Sequence, residues 1–128
     1  MSSIEKILFR QVHPSFTQGD KISILAFSSM VFKPFPKDEG LLSVYNGEKF
    51  DVESAYTHYT ELQKLASAGV VGVSVSECKA ESLNVIDDND PFDGHSSIDF
   101  KDLPAKEILK KAKMLKAKAQ LRGWLYIR

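Results

Sequence analysis

Cysteine, tryptophan and net charge are the scarcest features of this chain: Cys78 and Trp124 stand alone among 128 residues, and 17 acidic residues balance 17 basic ones. A single cysteine excludes an internal disulfide and any multi-cysteine metal centre, and it fits a reducing compartment. Charge balance removes a general electrostatic attraction to nucleic acid or to an anionic membrane. No stretch reaches the ~18 consecutive apolar residues of a membrane span. Glu5 and Lys6 also break the amino-terminal run where a secretory signal needs apolar residues. The expectation is a cytoplasmic protein with no membrane partner. Gly-x-Ser-x-Gly, Cys-x-x-Cys, His-Glu-x-x-His and a phosphate-binding glycine loop are all missing, so no motif marks a nucleophile, a metal or a cofactor.

The residues that are present suit one globular unit. A hydrophobic content of 43% with 27% charged residues is ordinary for a single domain of this length, with no linker or internal repeat. Apolar runs bounded by turn residues predict strands at Ile7 to Val12, Ile22 to Phe27 and Leu41 to Tyr45. The proline- and charge-rich segment from Val31 to Gly40 reads as a surface loop. Asp51 is an N-cap residue type. Ala55, Tyr59, Leu62 and Leu65 then recur at helical spacing, predicting a helix over 52–68 that stops at Gly69. GVVGVSVSEC alternates valine with glycine and serine and reads as a central strand with Cys78 near its end; SLNVID reads as a further strand. DNDPFDGHSS is turn-forming, and SIDF reads as a short edge strand. Asp102 and Pro104 open a second helix over 104–122, with Ile108, Ala112, Leu115 and Ala119 as its apolar stripe and Gly123 as its end; WLYI closes the chain as a strand. The sum is a single α+β domain over residues 1–128, with a mixed or antiparallel sheet of about six short strands and two helices.

Charge is segregated even though it balances. Seven acids lie between Glu81 and Asp102 against one lysine, and seven bases lie between Lys106 and Arg122 against one glutamate. The acidic loop from Asp87 to His95 lacks calcium-loop spacing. Aligning Gly94 with the required glycine puts Pro91 and Phe100 at ligand positions, so no metal site is expected. On the second helix, Lys106, Lys110 and Lys113 are the candidate binding residues. They suit an acidic protein partner, the preceding acidic segment or phosphates; a protein partner is favoured over nucleic acid, because stacking aromatics are limited to Trp124 and Tyr126.

The candidate catalytic residues are Arg10, His13, His58 and Glu53. Strand alternation places Arg10 between Leu8 and Val12 on one face, where it lies at an edge or must be paired if buried. His13 precedes Pro14 at the mouth of that strand, and His58 sits beside the apolar face of the first helix near Tyr56, Tyr59 and Glu61, a place for a titrating base. Cys78 becomes a nucleophile only if His13, His58 or His95 activates it.

The segments LFRQVHPSF, FKPFPKDEGLLSVYNG, YTHYTELQKLASAGVVGVSVSEC and AKAQLRGWLY resemble small uncharacterised bacterial proteins; the resemblance covers most of the chain and implies a bacterial domain without implying an activity. Separately, Arg10, then Ser43 with Tyr45, then Glu53 resembles the order found in small NAD-consuming toxins of the ADP-ribosyltransferase type. That resemblance implies that Arg10 holds a pyrophosphate and Glu53 the nicotinamide ribose. In this chain the glutamate falls on a predicted helix instead of a strand end. The favoured functional expectation is a small binding or accessory protein acting through protein contact, of the adaptor or immunity type. The alternatives are an enzyme for a nucleotide-like or other anionic substrate, and a nucleic-acid accessory protein using the basic helix.

Overall fold

The computed structural model describes residues 6–14, 29–34 and 39–127. Among the described residues, six strands form one antiparallel sheet: β1 (Ile7–Val12), β2 (Leu41–Asn46), β3 (Gly69–Ser74), β4 (Asn84–Ile86), β5 (His95–Asp99) and β6 (Tyr126–Ile127). Their spatial order is β4-β5-β2-β1-β3-β6. Among the described residues three α-helices accompany them: α1 (Val52–Thr57), α2 (Val75–Ala80) and α3 (Ala105–Arg122). The fold is thus α+β with an antiparallel sheet, and a third, short helix joins the two expected from sequence. The predicted strand at Ile22 to Phe27 lies outside the described residues.

The two faces of the sheet carry different cores. On one, Leu8, Val12, Leu42, Val44, Val71, Val73 and Ile98 meet Phe32, Phe100 and the α3 stripe of Ala112, Leu115 and Ala119. On the other, Phe9, Tyr45 and Val70 meet Ala55 of α1, with Phe50, Phe92 and Leu125 packed around them. This division follows from strand alternation: in β1, Leu8 and Val12 turn towards α3 while Phe9 turns towards α1.

Several local expectations are corrected. The segment beginning at Val31 is not a surface loop throughout. Ser29–Phe32 form a 3-10 turn that inserts Val31 and Phe32 fully into the α3-side core, because the apolar surface of these two side chains outweighs the loop-forming character of the neighbouring prolines and charges. The first helix ends early: α1 gives way to a single wide turn at His58–Leu62, Lys64 takes φ 56°, and Ser67 and Ala68 are already buried on the approach to β3. Gly69 therefore starts a strand instead of capping a helix. A Cβ there would lie 2.3 Å from the Tyr126 carbonyl oxygen and under 3 Å from the Trp124 ring, so only glycine lets the C-terminal segment approach this closely.

The valine-serine strand also stops sooner than its alternation suggests. Ser74 accepts a hydrogen bond from the Glu77 N–H (3.1 Å) and Glu77 accepts one from the Ser74 N–H (2.8 Å), a reciprocal cap that starts α2 and places Cys78 in a helix rather than at a strand end. β3 lies next to the short edge strand β6, and β5 lies between β4 and β2 rather than at the edge. The N-cap of α3 is Pro104, not Asp102, which sits at φ 64° in the preceding turn. The α3 stripe, its end at Gly123 and the closing strand lie where the sequence put them. Among the described residues no helix is long and apolar enough to cross a membrane.

Candidate functional site

Arg10 explains itself through the sheet. β1 pairs with β3 along its whole length, from Ile7↔Ser74 to Val12↔Gly69, but with β2 only at Leu8↔Asn46 and Phe9↔Tyr45. Beyond Phe9 the two strands part, and the Arg10 guanidinium fills the gap. Its Nε donates to the Val31 carbonyl (2.8 Å) and its Nη1 to the Ser43 carbonyl (2.8 Å), replacing ladder hydrogen bonds and tying the 3-10 turn to the sheet.

The parting of β1 and β2 opens a cleft of about 120 Å³, whose walls include Gln11, Ser43, Tyr45, Tyr59, Gln63, Phe92 and His95. Ladder pairing puts Phe9, Tyr45 and His95 side by side on three adjacent strands. Phe92 stands over this row, with ring centroids 4.3 Å from His58 and 5.4 Å from His95. Phe50 closes against Tyr45 edge-on at 4.9 Å.

Each histidine is oriented differently. The Tyr45 hydroxyl lies 2.9 Å from His58 Nδ1, and the Gln63 amide nitrogen donates to the Tyr45 oxygen (2.7 Å) while approaching the same Nδ1 (3.3 Å). The amide nitrogen offers only hydrogens, so in this arrangement Nδ1 acts as the acceptor. Burial pushes the Tyr45 hydroxyl well above its ordinary pKa, so it stays protonated and serves as donor. At the other side of Phe92, His95 Nδ1 lies 2.6 Å from Asp88 Oδ1, and the Ser97 hydroxyl donates to Asp88 Oδ2 (2.8 Å). Burial raises the Asp88 carboxyl, but the hydrogen bonds from His95 and Ser97 outweigh it and hold the group below the usual carboxylate range. Asp87 reaches the opposite face of β5. There it accepts from Lys6 (2.6 Å) and Ser96 (2.7 Å), which lower its pKa against a smaller opposing effect of burial.

The residues nominated from sequence are therefore dispersed. Arg10 lines the small cleft; Glu53 and His58 line a separate, shallow depression with Asp51 and Leu62; His13 is exposed at the end of β1. Among the described residues Arg10 and Glu53 line different cavities, and a cleft of this size is well below the ~300 Å³ or more of sites for drug-sized ligands. Cys78 is fully buried, and burial followed by the Glu77 charge pushes its thiol up to about 12, leaving no thiolate for nucleophilic chemistry. Among the described residues no group of three or more His, Cys, Asp or Glu side chains converges as metal ligands. The acidic loop is engaged locally: Asp87 pairs with Lys6, Asp88 hydrogen-bonds with His95, and Asp93 lies near Lys49 (3.8 Å).

Sequence reasoning overlooked Asp88, Gln63 and Phe92. The usable signal was the alternation of His95 and Ser97 on one face of β5 with Ser96 on the other, directly after two consecutive aspartates able to reach both faces.

The basic residues of α3 are a second candidate site. Lys111 donates to the Glu81 carbonyl, and Arg122 donates through Nη1 to Gly72 O and Glu77 Oε1, each at 2.9 Å, so these two brace the helix. Lys106, Lys110, Lys113 and Lys118 are exposed, and none takes part in an ion pair among the described residues. The acidic segment preceding α3 does not neutralise them. On the same solvent side, Lys110, Met114, Ala117 and Leu121 succeed one another at spacings of four, three and four; Met114 is 41% exposed and Leu121 85%. No protein-family model matches the chain, and neither the curated proteins nor the solved structures contain a significant match to it.

Proposed function

We propose that this chain is a cytoplasmic bacterial accessory protein, of the adaptor or immunity type, that binds a protein partner through the solvent face of α3. The observation that carries this reading is the combination on one helix of Lys106, Lys110 and Lys113, without ion-pair partners among the described residues, with the exposed Met114 and Leu121. Lysine without an acidic neighbour costs nothing in water, but a large leucine left 85% exposed gains nothing from the fold. Apolar side chains flanked by cations complement an amphipathic surface whose apolar centre is bordered by Asp and Glu. The same face has aliphatic residues where a single-strand nucleic-acid surface needs stacking aromatics, which favours a protein over RNA or DNA. A lone cysteine sealed in the core is compatible with the reducing cytoplasm.

The test is site-specific photocrosslinking from position 114 in cells of the source bacterium. A protein adduct is expected whose crosslinked peptide is acid-rich and whose yield collapses in the triple variant Lys106→Glu, Lys110→Glu, Lys113→Glu. A nucleic-acid adduct, or an adduct insensitive to charge reversal, overturns the proposal.

A further inference from the structure

After Leu121, the most exposed large apolar side chains among the described residues are Leu62 (74%) and Leu65 (46%), both on the segment that leaves α1. Leu62 lines a shallow depression of about 480 Å³ together with Phe50, Asp51, Glu53, Thr57 and His58. The charged side chains of that lining are the two carboxylates, and the exposed Glu61 is the neighbour of Leu62 in the chain. Lys64 is the one lysine between Asp51 and Leu65. Neither Asp51, Glu53 nor Glu61 takes part in an ion pair among the described residues.

This surface is the counterpart of the α3 face in both respects. There, Met114 and Leu121 are accompanied by Lys106, Lys110, Lys113 and Lys118, and Glu107 is the only acid of the helix. Apolar side chains among carboxylates, set against apolar side chains among lysines, remove apolar surface from water and bring opposite charges together. α1 and α3 pack on opposite faces of the sheet, so a second copy is needed to bring the two surfaces together. Two copies joined through the same α3 face would set lysine against lysine, and joined through the same depression carboxylate against carboxylate, so the complementary contact is head-to-tail. With 17 acids and 17 bases the whole chain carries no net charge to repel a further copy. We infer that the depression beside α1 is a docking site for the α3 face of a second copy of this chain. The inference rests on the reading of α3 as a docking face. It deepens that reading, because the neighbouring copy covers the helix until a protein partner displaces it. With few residues on each side, the contact belongs to the weak, transient class.

The experiment is analytical ultracentrifugation of the full chain from ~10 µM to ~1 mM at low and high salt. The wild type is expected to associate with rising concentration, and less so at high salt. The double variant Glu53→Lys, Glu61→Lys and the triple variant Lys106→Glu, Lys110→Glu, Lys113→Glu are each expected to associate at least ~10-fold more weakly, because like charges then face each other. An equimolar mixture of the two is expected to associate again, since each supplies the charge the other has lost; this recovery also excludes misfolding as the cause of the loss. Leu62→Ser keeps every charge and is expected to weaken association as well. A wild type that stays monomeric overturns the inference, as does association that survives in either charge variant or a mixture that stays monomeric. Capture of a different protein from position 114 is expected to persist in Glu53→Lys, Glu61→Lys. Failure of self-association therefore leaves the partner reading standing, whereas a chain that self-associates but captures no other protein refutes that reading alone.

Discussion

Replacing Arg10 by alanine separates a structural clasp from a substrate-binding arginine. The substitution removes two charge-assisted hydrogen bonds and strands the Val31 and Ser43 carbonyls at the place where β1 and β2 part. The Nε bond to Val31 is partly shielded from water, so it falls in the range of hydrogen bonds to charged groups, ~1.5–3 kcal/mol. The Nη1 bond to Ser43 faces solvent and contributes ~0.5–1 kcal/mol. The sum is a loss of ~2–4 kcal/mol, a large share of the ~5–15 kcal/mol by which a domain is stable. At ~4 °C per kcal/mol for a chain of this size, the melting temperature is expected to fall by ~8–16 °C. Urea titration followed by far-ultraviolet circular dichroism, with calorimetry as a second probe, measures both. Arg10→Lys keeps the charge but has no planar fork to reach two carbonyls, so it should recover less than half of the loss. A loss below ~0.5 kcal/mol for Arg10→Ala, the usual scale of surface substitutions, would refute the clasp and make Arg10 a ligand-binding candidate again.

Three further outcomes are expected. Asp87 and Asp88 both have carboxyl pKa values lowered by folding, so each contributes stability above the unfolded value of ~3.9 that disappears as pH falls through the lower native value. The urea midpoint should therefore fall below about pH 4, and less steeply in the Asp87→Asn, Asp88→Asn double variant; equal steepness refutes this. Gly69→Ala should cost ~1–3 kcal/mol or more by overpacking, because the new methyl meets the Tyr126 carbonyl and the Trp124 ring, and it should alter Trp124 fluorescence as β6 is displaced. Native Cys78 should react with a thiol reagent only at the rate of unfolding, since its sulfur is enclosed and its thiol sits at about 12; rapid stoichiometric labelling would contradict its placement in the core.

Much of the fold was legible in the sequence because its elements obey local rules. β1, β2 and α3 carry clear apolar periodicities, and Gly123 ends α3 as a glycine in the left-handed region should. Reading failed where a local signal met a tertiary one. Tyr59, Leu62 and Leu65 keep helical spacing, yet Leu62 and Leu65 end up exposed, because the chain must leave α1 early to deliver Ser67, Ala68 and Gly69 into the sheet. Val75 continues an alternation that the Ser74–Glu77 cap cuts off, a cap readable in hindsight from the Ser-x-x-Glu spacing. Of the candidate site, the lysine face was legible from helical periodicity alone. The Asp88–His95 pair was not, since it depends on a loop folding back onto the strand after it, and Arg10 was legible as a residue needing partners but not as a bridge between two carbonyls.

The most direct test of the α3 proposal is the photocrosslink from position 114, made in parallel in the native chain and in the Lys106→Glu, Lys110→Glu, Lys113→Glu variant. Exposed surface lysines should change stability by no more than ~0.5 kcal/mol, so the two chains are expected to unfold at nearly the same urea concentration. The expected result is one protein adduct with an acid-rich contact peptide in the native chain and its loss in the variant. An adduct of equal yield in both, or crosslinks only to nucleic acid, would contradict a partner-binding role for this helix.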